Sequence, residues 1–168
     1  NFQVGLLANV ILPLLKENVE LQLNAGAEVV MIFDSTAHQL AEEDLNIYLE
    51  KTFNMLVKEF PNKVGYYAKD GVNYETIIAK QDDPQINLAG MGIDSNVDLR
   101  DFFKKTSYGF VQGNFSEHFL TLPHEEFLPK LDTFIEEMSA LSPEERSGWV
   151  CGLGHGVLKT TPQENVKE

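Results

Sequence analysis

Basic residues are scarce in this sequence: 13 Lys and Arg stand against 26 Asp and Glu, a formal net charge of −13. A chain of that sign does not track a phosphate backbone, so no nucleic-acid partner is expected. Thiols are scarcer still, with Cys151 alone. One cysteine permits neither an internal disulfide nor a multi-cysteine zinc site, and it fits a reducing, cytoplasmic setting. No window approaches the roughly 18 uninterrupted apolar residues of a membrane span, so no membrane association is expected. A basic-then-apolar leader is missing, and Asn1 stands where an initiator Met would, so we expect a piece of a longer polypeptide. What is present is core-forming mass. The 168 residues are 43% apolar and 10% aromatic, which suits a globular unit and is too much for a disordered chain.

Two textures alternate along the chain. Short apolar runs with β-branched residues read as buried parallel strands: Val29–Phe33, Val64–Ala68, Leu88–Ile93, Tyr108–Val111 and Trp149–Leu153. Between them lie amphipathic stretches. Leu45, Tyr48, Leu49, Phe53, Leu56 and Phe60 follow three-and-four spacing, with Glu42, Glu43, Glu50, Lys51 and Lys58 on the other side, and Phe127, Leu131, Phe134, Ile135 and Met138 do the same. Leu6–Asn24 reads as a helix kinked near Pro13, and Gly26 suits its C-terminal end. Ser142-Pro143-Glu144-Glu145 and Thr161-Pro162-Gln163-Glu164 both have the form of a capping box with Pro at the first helical position. The order α-β-α-β-α-β-α-β-α-β, with a further helix start, predicts an α/β fold on a parallel sheet. No linker or low-complexity stretch marks an internal boundary.

In parallel α/β folds, chemistry collects where strands end at their carboxyl side. The five runs lead into Asp34-Ser35-Thr36, Lys69-Asp70-Gly71, Asp94-Ser95-Asn96, Gln112-Gly113-Asn114 and Gly154-His155-Gly156. Any single end reads blandly as a cap for the next helix. Five polar ends on one face, one carrying a histidine between glycines, point to a site. His155 has little side-chain cover there and is suited to bind an anionic group, to move a proton or to ligate metal. His38, His118 and His124 fall in loops or at helix starts and read as solvated or capping. Cys151 lies inside an apolar run and reads as an inert core thiol. Asp34, Asp94 and His155 are possible ligands for a divalent cation, but their spacing is not diagnostic. No nucleophile elbow, phosphate loop or dinucleotide fingerprint occurs.

Taken in order, these segments resemble the uroporphyrinogen decarboxylase family of haem and tetrapyrrole biosynthesis. The resemblance rests on Ala25-Gly26-Ala27 leading into Ile32-Phe33-Asp34-Ser35, then Ala68-Lys69-Asp70-Gly71 and Val111-Gln112-Gly113-Asn114. Gly152-Leu153-Gly154-His155-Gly156-Val157-Leu158 and Thr161-Pro162-Gln163-Glu164-Asn165-Val166 complete the set. The resemblance implies a (β/α)8 TIM barrel working as a homodimer, with no metal and no cofactor. The implied reaction removes the acetate-arm carboxyl groups of uroporphyrinogen III to give coproporphyrinogen III. The five strands here would be the last five of eight, residues 1–168 forming a C-terminal segment without the N-terminal strands. Ser35 and His155 match family substrate-binding positions. The family's catalytic aspartate, its substrate-binding arginines and its active-site tyrosine belong to the N-terminal part, so no catalytic residue is expected in this chain.

Departures from the commoner family pattern mark a divergent branch. Ser35 is followed by Thr36-Ala37-His38, the third run ends Gly92-Ile93-Asp94, and Asn114 is followed by Phe115-Ser116-Glu117. Charge agrees that something is missing. An octacarboxylate substrate needs cations, and the five strand ends offer only Lys69. Like charges about 4 Å apart cost roughly 4 kcal/mol at an effective dielectric near 20. The chain alone is therefore expected to be inactive, with the arginines elsewhere. Two alternatives stand beside this reading. One is a zinc-dependent corrinoid methyltransferase of the same superfamily, which a single core cysteine disfavours. The other is a catalytically inactive half-barrel interaction module, whose open strand edges would make the chain self-associate.

Overall fold

The computed structural model describes residues 5–48, 53–71, 87–105 and 109–168. Leu49, Glu50, Lys51 and Tyr108, all used in the sequence reading, lie outside them. The described strands are β1 (Val30–Asp34), β2 (Val64–Ala68), β3 (Gly90–Gly92), β4 (Phe110–Phe115) and β5 (Trp149–Leu153), forming one parallel sheet in that order. Helices alternate with them: α1 (Leu12–Asn24), α2 (Glu42–Tyr48), α3 (Asn54–Glu59), α4 (Leu99–Lys105), α5 (His124–Ser139) and α6 (Gln163–Lys167). This is an α/β fold consistent with part of a TIM barrel. The chain divides into two compact units, Asn1–Met91 and Gly92–Glu168.

In the first unit, β1 and β2 pair in parallel from Val30↔Val64 to Asp34↔Ala68. All five residues of β2 are buried, as expected of a strand covered on both faces. Leu45 of α2, Leu56 and Val57 of α3, and Phe53 pack into the same core, with Phe53 4.6 Å from Tyr66 ring to ring. The predicted kink at Pro13 takes another form. Leu7–Ile11 is a π-helical stretch in which the Leu12 N–H bonds Leu7 O, and α1 follows with Pro13 in its first turn. A ring that lacks a donor is tolerated at that place. β1 is less buried than its composition suggested: Phe33 is 66% exposed and meets Tyr67 at 5.6 Å. β1 ends the order of the described strands, and among the described residues it is paired on one side only.

In the second unit the core is a cluster of rings. Phe115, Leu120 and Phe127 are buried, with Phe119, Leu131, Phe134 and Leu153 packed around them. Phe115 meets Phe119, Phe127 and Phe134 edge-on at 5.7, 6.2 and 5.2 Å, a favourable geometry for aromatic quadrupoles. β4 and β5 pair in parallel from Val111↔Trp149 to Phe115↔Leu153. The Trp149 indole donates to Gly113 O at 2.6 Å and its ring lies 6.1 Å from Phe134.

Cys151 corrects the sequence reading, because it is exposed rather than core. The ring cluster of α5 engages β5 at its two ends, Trp149 and Leu153, and leaves the middle of this terminal strand open. Partial burial still pushes the Cys151 thiol pKa up, which disfavours the thiolate.

The two capping boxes diverge. At Ser142 the box forms in both directions: Ser142 N–H donates to Glu145 Oε2 at 2.8 Å, and Glu145 N–H to Ser142 Oγ at 3.2 Å. Only a turn follows, closed at Gly148 with φ +79°, because β5 begins at the next residue and leaves no room for a helix. At Thr161 no side-chain cap forms, Pro162 flanks α6 instead, and the Thr161 hydroxyl is buried without a partner among the described residues. No helix among the described residues is long and apolar enough to cross a membrane.

Candidate functional site

The carboxyl ends of the strands carry the polar groups, and each unit organises its own. In the first unit Asp34 closes β1 and its carboxylate is saturated. Oδ1 accepts the Thr36 and Ala37 N–H groups at 3.2 and 2.9 Å, and Oδ2 accepts the Tyr66 hydroxyl at 3.1 Å. This is an Asx turn, in which the side chain takes the place of a backbone acceptor. It leads into a single 3-10 turn, Ala37–Gln39. The phenol pKa of Tyr48 on α2 is raised well above the usual value, first by burial and then by interaction with the Asp34 carboxylate. Asp34 is thus a structural hub that shapes the turn bearing Ser35. The Ser35 side chain itself is exposed.

The end of β2 is a 3-10 turn, Lys69–Gly71, in which Asp70 adopts a left-handed φ of 62°. His38 faces it: Nδ1 lies 3.6 Å from Asp70 Oδ2, too long for a hydrogen bond, and it is buried without another partner among the described residues. His38, read from sequence as solvated or capping, instead stands against the neighbouring loop.

In the second unit Asp94 follows β3, is 5% exposed, and accepts the Asn96 N–H at 2.9 Å through Oδ1. Its Oδ2 has no partner among the described residues. Asn114 of β4 spends its Nδ2 hydrogens on Asp94 O at 2.8 Å and Val97 O at 2.6 Å, holding the loop after β3. Two glycines permit this crowding. A Cβ on Gly113, where φ is +137°, would sit 2.5 Å from Ile93 O, and one on Gly154 would sit 2.5 Å from Ser95 N. His155 follows at once and is exposed, with Nδ1 3.4 Å from Gly156 O. The loop after β5 is therefore pressed against the loop after β3 at Gly154, and His155 emerges from that contact into solvent.

Asn165 of α6, quoted in the sequence only as part of a motif, is a second hub. It is 2% exposed and donates to Leu120 O at 3.0 Å and Leu122 O at 2.9 Å. Its Oδ1 therefore faces His124, and the His124 Nδ1 carries the proton of the 2.8 Å bond between them. Sequence reasoning also missed Tyr48 and Tyr66, reading both as apolar positions. The signal was available, since a buried tyrosine hydroxyl requires a partner. Among the described residues no three of His, Cys, Asp and Glu gather as a metal-holding group.

Parallel strands alternating with helices, with Asp, Asn, Gly and His at their carboxyl ends, define an α/β protein whose fold is consistent with part of a TIM barrel. The family model for uroporphyrinogen decarboxylase matches residues 3–168. The chain belongs to the uroporphyrinogen decarboxylase family. Among curated proteins it is similar to the uroporphyrinogen decarboxylase of Prochlorococcus marinus subsp. pastoris, with 30% identity over 157 residues, covering 90% of this chain and 42% of that protein. The enzymes of that name from Orientia tsutsugamushi and Chloroflexus aurantiacus are each 29% identical, covering 90% and 87% of this chain and 43% and 41% of their own lengths. The chain spans about two fifths of the length of the curated relatives it matches.

Proposed function

We propose that residues 1–168 are the C-terminal portion of a uroporphyrinogen decarboxylase, supplying the last five of eight barrel strands. The observation that carries this reading is the match of the family model across residues 3–168. The reaction is the loss of carbon dioxide from the acetate arms of uroporphyrinogen III to give coproporphyrinogen III, in the cytoplasm and as a homodimer. Ser35 and His155 take part as substrate contacts. Their exposure at strand carboxyl ends supports that role. A serine hydroxyl donates one hydrogen bond to a substrate carboxylate, and an imidazole donates one in its neutral form or pairs with the carboxylate as a cation. Asp34 is not the catalytic carboxylate, because its oxygens are already engaged by two N–H groups and a tyrosine. The catalytic acid and the arginines come from outside this chain, so the chain by itself does not decarboxylate.

A chimera tests this. The part of the Prochlorococcus marinus relative that this chain does not match is joined ahead of residue 1, and conversion of uroporphyrinogen is followed chromatographically. We expect product from the chimera and none from the 168-residue chain. His155→Ala and Ser35→Ala should each lower kcat/KM by about tenfold or more, the scale of one lost charge-assisted hydrogen bond. A folded but inactive chimera, or variants as active as the parent, would overturn the proposal.

A further inference from the structure

We infer that Lys69 is a further substrate contact, its ammonium and the Ser35 hydroxyl together holding one carboxylate of the tetrapyrrole beside the ring of Phe33. The inference rests on the decarboxylase reading and adds to it the one permanent cation that the five strand ends carry.

The two faces of the β1–β2 pair are told apart by what covers them. Asp34 and Tyr66 lie on one face, where the Tyr66 hydroxyl donates to Asp34 Oδ2 at 3.1 Å. The Tyr66 ring there lies 4.6 Å from Phe53, the residue just ahead of α3, so the helical side of the unit takes up this face. Successive strand residues point to opposite sides. Phe33 and Tyr67, which are register partners, therefore lie on the other face. Their rings meet at 5.6 Å; Tyr67 is buried, whereas Phe33 is 66% exposed. That face is an apolar platform whose outer ring is open to a flat aromatic body.

The register ends at Asp34↔Ala68. The next residues are Ser35 and Lys69, at adjacent positions on the carboxyl rim of the Phe33–Tyr67 face. Ser35 is exposed and Lys69 is half-buried. The acids beside them in the chain are engaged elsewhere. Asp34 accepts the Thr36 and Ala37 N–H groups and the Tyr66 hydroxyl. Asp70 stands against His38, its Oδ2 3.6 Å from Nδ1. Lys69 pairs with no carboxylate among the described residues. A half-buried ammonium without a counter-ion carries a desolvation cost that an incoming anion offsets. The substrate brings that anion. Ammonium and hydroxyl donate to the two oxygens of one carboxylate, and the adjoining pyrrole ring packs on Phe33.

Uroporphyrin, the oxidised octacarboxylate, binds without turnover and serves as the probe. It is titrated into the 168-residue chain at low ionic strength and followed by its visible absorbance. Lys69→Met keeps the side-chain stem and removes the charge; we expect it to weaken binding about tenfold, while Lys69→Arg stays within about threefold of the parent. Ser35→Ala should weaken binding less in the Lys69→Met background than alone, because two donors to one carboxylate are coupled. The inference falls if the parent chain does not bind, if Lys69→Met binds as the parent does, if Lys69→Arg is as weak as Lys69→Met, or if the two losses simply add. The chimera described above separates this outcome from the decarboxylase reading. A chimera that forms no product, beside porphyrin binding that depends on Lys69, overturns that reading and leaves the clamp standing. A chimera that turns over equally well with Lys69→Met overturns the clamp and leaves the reading.

Discussion

The hydroxyl of Tyr66 donates to Oδ2 of Asp34 at 3.1 Å, joining the middle of β2 to the last residue of β1. Tyr66 is fully buried, so the bond is made away from water, and its acceptor is a carboxylate that also organises the following turn. Tyr66→Phe keeps the ring and its contact with Phe53. We expect it to lower stability by about 1.5–3 kcal/mol, the worth of a hydrogen bond to a charged group. Denaturant titration should show a lower midpoint at unchanged slope.

Tyr48 makes stability depend on alkaline pH. Its folded-state phenol pKa is raised by burial and by Asp34, so the folded state holds the proton more tightly than the unfolded state does. Stability from this group is complete below about pH 10, the ordinary tyrosine value, and is lost as pH rises from there toward the folded pKa. Tyr48 should contribute a late-ionising component to an absorbance titration near 295 nm. In Tyr48→Phe that component should shrink, and so should the alkaline loss of stability.

Gly154 is a position where space rather than conformation is limiting. A methyl there would press on Ser95 N at 2.5 Å, with Asp94 backbone atoms at 3.0 and 3.2 Å, and backbone cannot swing aside as a side chain does. Gly154→Ala should cost about 1–3 kcal/mol by overpacking. Gly156→Ala, where nothing lies within 4 Å, should be close to neutral. Thermal unfolding of the two variants side by side checks the contrast.

Asn165→Ala should free α6. The change leaves Leu120 O, Leu122 O and the His124 N–H without their partner, and unsatisfied buried groups cost about 1–3 kcal/mol each. Amide exchange should rise selectively in residues 163–167 and in the Phe119–Thr121 turn. Asn165→Asp, which keeps an acceptor for His124 but offers carbonyls no donor, should not restore protection.

Much of the scaffold was legible because its signals are periodic. Val64–Ala68 and Trp149–Leu153 were bounded correctly from apolar runs alone. Val29–Phe33 was one residue out of step, and Leu88–Ile93 shortened to Gly90–Gly92. Burial was read less well, since an apolar run such as Trp149–Leu153 says nothing of which neighbour covers it; Cys151 and Phe33, on the two strands that end the order among the described residues, are both exposed. The polar strand ends were located, yet their wiring was hidden. Asp34 serves Tyr48 and Tyr66, which lie 14 and 32 positions away, and Asn165 serves carbonyls more than 40 positions upstream. Such partners become neighbours only once the chain has folded.

The reciprocal box at Ser142 has a kinetic consequence. Ser142 and Glu145 bond each other, Arg146 N–H bonds Ser142 O, and Trp149 N–H bonds Arg146 O, so the crossover from α5 into β5 closes on itself within eight residues. Loops of that length close in roughly 10–100 ns, far sooner than distant strands can pair. The chain can therefore reverse direction ahead of β5 without help from the sheet, and Trp149 arrives beside β4 already aimed. The slower search belongs to contacts of long sequence separation, Asn165 with Leu120 above all.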